Sequence, residues 1–239
     1  MENSATIVYF GSLGNKVEGR YFCQKNNTAP TILILPPDPR YGGTMNNEIV
    51  KLLERVFQKC GFSTLAINYQ GSGKSDGNFT RATDGIVTAS VALDWLQLHN
   101  SESSYYWIVG YSFGAYVAAD IATRRPEIEN FVFLSPLIKQ YDFEFMSPAL
   151  SDGLIVVGEK DEFINQQNLD KLLEKMNEYS KVTIDKIVIM DANHKYENKL
   201  EQLEAELEQY INIKIATRIT KPIKKKRRKR QKKENSTLS

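Results

Sequence analysis

The segment YYWIVGYSFGAYVAADIATRRP, residues 105–126, holds the sharpest change of character in the chain. Residues 106–109 are aromatic and β-branched, the composition of a buried strand. Ala115, Ala118, Ala119 and Ala122 then recur at helical spacing. Ser112 stands at the corner between the two, with Gly110 and Gly114 two residues to either side. A sharp strand-to-helix corner strains its central residue and crowds the positions flanking it, so this G-x-S-x-G spacing suits such a turn. The corner lifts the hydroxyl above the sheet end, and a helix starting at Phe113 aims its free N–H groups at developing negative charge. Five residues are a weak signal by themselves; the strand and helix flanks make Ser112 a candidate nucleophile rather than one more turn hydroxyl.

Strands and helices alternate on both sides of that corner. Two β-rich runs around Gly11–Asn15 suit an antiparallel hairpin. TILILPP (31–37), FSTLAINY (62–69), NFVFLSP (130–136), GLIVVGEKDEF (153–163) and TIDKIVIMDAN (183–193) read as further strands. Helical patterns cover residues 48–61, 85–100, 113–124, 164–179 and 196–211. Eight strands interleaved with helices imply an α/β fold: a mostly parallel sheet, helices on both faces, right-handed crossovers and ligands at the strands' carboxyl ends. No internal repeat is visible. Only 16 residues, LIKQYDFEFMSPALSD, separate the sixth strand from the seventh, too few for a large cap domain. Tyr141, Phe143, Phe145 and Met146 there either line a pocket or plug the core, the more usual fate of aromatic side chains.

At 239 residues and 41% hydrophobic content the chain suits one globular domain, expected over residues 1–217. A basic tail, expected to be disordered, follows over 218–239. From Lys221 onward it carries ten basic residues and one acidic one, a balance of +9 that leaves −7 for residues 1–220 of a chain with net charge +2. Such a block cannot bury apolar surface, and residues 221–233 could contact nucleic acid or anionic lipid through phosphates, without base-stacking aromatics. No leader-like start and no apolar run long enough to span a membrane is visible, so the expected compartment is cytoplasmic. Cys23 and Cys60 suggest neither a disulfide framework nor a metal cluster, and each reads as a buried free thiol. NYQGSGKSDG (68–77) contains GKS, but a phosphate-binding loop needs glycine where Asn68 stands, so Lys74 is no nucleotide ligand.

Polar groups that follow a strand share one rim of a parallel sheet. Ser112, Asp161 and His194 each follow one, in that order along the chain. A serine hydroxyl needs a base to take its proton, and a carboxylate to orient that base and stabilise its cation. His194 is the candidate base, because His99, the other histidine, ends a helix at the opposite end of the sheet. Asp161 is the candidate acid; Glu159, Glu162, Asp152, Asp191 and Asp142 are its rivals. Two N–H donors must also face an oxyanion. One comes from Phe113. In LPPDPRYGG the prolines at 36, 37 and 39 have no N–H, which leaves Asp38, with Arg40 next in line.

GNKVEGRY, PPDPRYGGTMNN, NYQGSGKSDG, GYSFGAYVA, GEKDEF and ANHKY together resemble the α/β-hydrolase superfamily, in its branch of small serine hydrolases without a large lid, over about residues 6–213. The resemblance implies a Ser112–Asp161–His194 triad with an oxyanion hole from Phe113 and the residue near Asp38. It implies a hydrolase cleaving a carboxylic ester, thioester or small amide through an acyl-enzyme, with a small-molecule acyl substrate and with neither cofactor nor metal. Relatives in this branch usually carry His-Pro-His-Pro where this chain has Pro36, Pro37, Asp38 and Pro39, so loop histidine contacts are lost and an acidic side chain enters. The alternative is a noncatalytic α/β-hydrolase-like module tethered to nucleic acid or membrane by its basic tail.

Overall fold

In a computed structural model, which describes residues 4–12, 14–178 and 181–220, the apolar runs pair into one eight-stranded sheet. Chain order is β1 (Thr6–Ser12), β2 (Asn15–Phe22), β3 (Thr31–Leu35), α1 (Glu48–Lys59), β4 (Ser63–Ile67), α2 (Ala82–His99), β5 (Tyr106–Tyr111), α3 (Phe113–Arg124), β6 (Ile128–Leu134), β7 (Asp152–Gly158), α4 (Gln166–Glu178), β8 (Ile184–Ile189) and α5 (Leu200–Thr220). Spatial order is β1-β2-β4-β3-β5-β6-β7-β8, antiparallel where β2 meets β1 and β4 and parallel elsewhere. β3 and β5, fully enclosed by neighbours, are the continuous apolar runs that a sheet covered on both faces requires. Side chains of α1 and α5 bury one face of the sheet, and those of α2, α3 and α4 bury the other.

Between β6 and β7 the chain forms only a short 3-10 turn, Glu144–Met146, and no large cap. Phe143 and Met146 are buried in the core, with Phe143 edge-on to Tyr116 of α3, whereas Phe145 stays largely exposed. Core filling is the use this segment makes of Phe143 and Met146, while its first residue, Leu137, lines the cavity beside Ser112.

Two expectations need correction. The last helix does not span 196–211: it starts at Leu200 and continues to Thr220. Tyr196 and Asn198 have φ of 55° and 59°, which no helix accepts, and Tyr196 is buried as an anchor instead. Beyond Ile211, β-branched residues weaken helix propensity, but Ile215 packs on the core and Arg218 pairs with Glu129, so tertiary contact prevails. The basic residues 221–239 lie outside the described residues. The cysteines are not disulfide-bonded, but neither is buried: Cys23 is exposed just past β2 and Cys60 is half-buried at the end of α1. Both sit just past the end of an element, where burial is incomplete.

Candidate active site

Ser112 adopts φ 57° and ψ −117°, the left-handed strain expected of a residue that reverses the chain between a strand and a helix. Its N–H donates to the Leu134 carbonyl (2.8 Å), which pins the corner to β6. The flanking glycines are sterically required. A Cβ on Gly110 would lie 2.1 Å from the Gly114 carbonyl oxygen, and one on Gly114 would lie 2.3 Å from the Leu35 carbonyl oxygen. The loop after β3 therefore presses directly onto the corner.

His194 lies on the loop after β8, and its Nε2 is 3.0 Å from Ser112 Oγ. Its Nδ1 is 2.9 Å from Asp161 Oδ2 and 3.1 Å from Oδ1. With Nδ1–H donating to the carboxylate, Nε2 is left with a lone pair facing the serine hydroxyl. Asp161 is itself oriented by the Phe163 N–H, which donates to Oδ1 (2.9 Å). All three residues are at most 9% exposed, so their interactions act in a poorly screened environment. Chain segments 112, 161 and 194 thus form one continuous hydrogen-bonded chain.

The rival carboxylates are occupied elsewhere. Glu159 accepts from the Asp191 N–H, and Asp191 pairs with Lys160 at the surface. Asp152 accepts from the Thr183 N–H, and Asp142 from the Glu144 N–H. Glu162 is exposed. His99 stacks on Trp95 and donates from Nδ1 to its carbonyl, at the end of α2 that leads into the start of β5.

Asp38 lines a cavity of about 530 Å³ together with Ser112 and His194; Ile49, Tyr111, Leu137 and Phe163 supply apolar wall. Phe113 N–H is the first amide of α3 and has no upstream helical carbonyl to accept it. The Arg40 N–H, the other candidate donor, gives its hydrogen bond to Asp38 Oδ1 (2.8 Å).

Sequence reasoning missed the residues that hold the His194 loop. Tyr111 Oη donates to the His194 carbonyl (3.1 Å). Tyr196 Oη donates to the Val156 carbonyl (3.0 Å), and Ser135 Oγ donates to Tyr196 Oη (3.0 Å). Burial, then the Asp161 charge, pushes the Tyr111 hydroxyl well above its ordinary range, and burial does the same for Tyr196, so both remain donors. Phe163 stands edge-on to the imidazole, ring centres 4.7 Å apart. The available signal was position: Tyr111 and Ser135 directly adjoin strand ends at the reactive rim.

The hydrolase family described as serine aminopeptidase, S33, matches residues 47–151. An uncharacterised protein of Rickettsia prowazekii (strain Madrid E) is 35% identical over 208 residues, covering 85% of this chain and 87% of the relative. A putative α/β hydrolase of Agrobacterium tumefaciens is 37% identical and superposes with a TM-score of 0.86 over 91% of this chain and 100% of its own. The chain belongs to the α/β-hydrolase superfamily. A lidless serine hydrolase of Xanthomonas campestris, 20% identical, shares the fold of this α/β hydrolase with a TM-score of 0.78 over 89% of this chain and 96% of its own. An α/β-hydrolase sheet places its nucleophile corner, acid loop and histidine loop at one rim. Among the described residues, no helix is long and apolar enough to cross a membrane.

Proposed function

We propose that this hydrolase cleaves a carboxylic ester, thioester or small amide through an acyl-enzyme on Ser112. The observation that carries the reading is the unbroken Ser112–His194–Asp161 hydrogen-bonded chain, 3.0 and 2.9 Å per link. His194 Nε2 takes the Ser112 proton as Oγ bonds to the substrate carbonyl carbon, whose π electrons move onto its oxygen. The Phe113 and Asp38 N–H groups receive that oxyanion. Collapse of the tetrahedral intermediate expels the alkoxide, thiolate or amine, which collects the proton from His194. A water molecule then repeats the sequence on the acyl-enzyme and releases the carboxylic acid. Asp161 holds the imidazole through Nδ1 and stabilises the imidazolium.

Support for an acyl substrate comes from the cavity, whose apolar wall adjoins the Ser112 hydroxyl. Reaction with a fluorophosphonate probe tests the reading. Labelling should map to Ser112 and vanish in Ser112→Ala, and hydrolysis of a graded acyl-ester series should fall by at least about 10⁴-fold in that variant. Labelling that persists in Ser112→Ala would overturn the proposal.

A further inference from the structure

The loop after β3 carries an unusual burden for an oxyanion site. Asp38, whose N–H is assigned to the oxyanion, also carries a carboxylate that is only 7% exposed. A negative charge so close to the amide opposes the charge the amide is meant to stabilise, most strongly where water is excluded. The chain answers it with Arg40. Arg40 Nη2 is 2.6 Å from Asp38 Oδ2 and Nε is 3.1 Å from both oxygens, a forked pairing that a lysine cannot reproduce. The guanidinium is held from the other side as well, 5.7 Å over the Phe79 ring and 3.4 Å from the Tyr141 hydroxyl.

We propose that Arg40 is a positioning residue for hydrolysis: its guanidinium cancels the Asp38 carboxylate, so that the Asp38 N–H can receive an oxyanion without an adjacent charge opposing it. This inference rests on the serine-hydrolase reading above. The Asp38 charge is felt in the buried surroundings. Burial first, and then Asp38, raise the Tyr69 hydroxyl well above its ordinary range, and the Tyr69 ring packs edge-on against Phe113, the other oxyanion donor. Burial and then Asp38 likewise raise Tyr141, with Arg40 opposing. The carboxylate is kept because it shapes the loop. Asp38 Oδ1 accepts the Arg40 N–H and caps the 3-10 turn Pro39–Tyr41. An asparagine would keep that acceptor and discard the charge.

The test measures the second-order rate of Ser112 labelling by a fluorophosphonate, and inhibition by phenylboronic acid, which binds serine as a tetrahedral anion, in the full chain. Arg40→Gln should slow labelling about 10- to 100-fold and weaken boronate binding by a similar factor. The double variant Asp38→Asn/Arg40→Gln should recover most of that loss, because the uncompensated charge is gone. Arg40→Lys should fall between the parent and Arg40→Gln. Thermal midpoints of all variants identify any loss caused by unfolding, and the double variant carries the decision if Arg40→Gln folds poorly. An Arg40→Gln rate equal to the parent's, or a loss that the double variant does not recover, overturns the inference. Failure of the parent chain to label at Ser112 overturns the hydrolytic reading itself, and this inference with it.

Discussion

Among six candidate carboxylates a single one touches the imidazole; Asp152 begins β7 at the far end of the strand, and for the others the difference is where each loop turns. Asp161 follows Gly158 closely enough to point back under His194, while Glu159 is turned toward the Asp191 amide and Asp191 toward Lys160. Asp161→Asn should leave the fold intact and lower kcat by about 10⁴-fold, because an amide NH₂ facing Nδ1 holds the wrong tautomer and puts a proton on the nitrogen that must accept one. Glu159→Gln and Asp142→Asn should stay within about 3-fold of the parent, measured on the same ester. Ser112 and His194 were legible in the sequence because a strand-to-helix corner and a chain with only two histidines leave few options. The choice of Asp161 over its neighbours was less so, since carboxylates one or two residues apart share the same sequence environment, and only loop geometry separates them.

The elements that present the site are braced from outside it. Gly158 ends β7 where a Cβ would lie 2.4 Å from the Ala192 carbonyl oxygen, so the acid loop and the histidine loop touch backbone to backbone. Gly158→Ala should force the loops apart and depress kcat at least about 10-fold, because catalytic hydrogen bonds tolerate little misplacement; kinetics beside a thermal midpoint would check it. Tyr111→Phe removes the hydroxyl that satisfies the His194 carbonyl and should cost about 1–3 kcal/mol in denaturant unfolding. Behind the loops, Arg20 of β2 forks onto the Glu54 carboxylate of α1 (2.8 and 2.6 Å) and also donates to the Met45 carbonyl (2.6 Å). Glu18 receives the Asn68 amide and the Lys74 N–H, both at 2.7 Å. The GNKVEGRY and NYQGSGKSDG segments are thus joined to each other as a scaffold rather than a ligand site. Glu54→Ala should cost about 2–4 kcal/mol, discounted for the partial exposure of Arg20.

At the level of the whole chain, charge is divided as sharply as structure. Residues 1–220 carry −7 and the remainder +9, and α5 extends the folded part to Thr220, where Arg218 still pairs with Glu129 of β6. We propose that residues 221–233 contact phosphate polyanions independently of hydrolysis. The 239-residue chain should bind single-stranded RNA or phosphatidylserine vesicles with an affinity that falls steeply with salt, and a chain ending at Thr220 should lose that binding while keeping its ester hydrolysis. Equal binding by both chains would refute the role of the basic block. The order of strands and helices, the strand-to-helix corner at Ser112 and the segregation of charge were all written in local patterns: apolar periodicity, glycine spacing and runs of like residues depend on neighbours along the chain. Which carboxylate meets His194, that the Arg40 amide is consumed by Asp38, how far α5 runs, and that Tyr111 and Tyr196 hold the histidine loop all depend on contacts between segments tens of residues apart. Such contacts exist only after the sheet has formed, because they are set by the packing of loop against loop at its rim and not by any pattern along the chain.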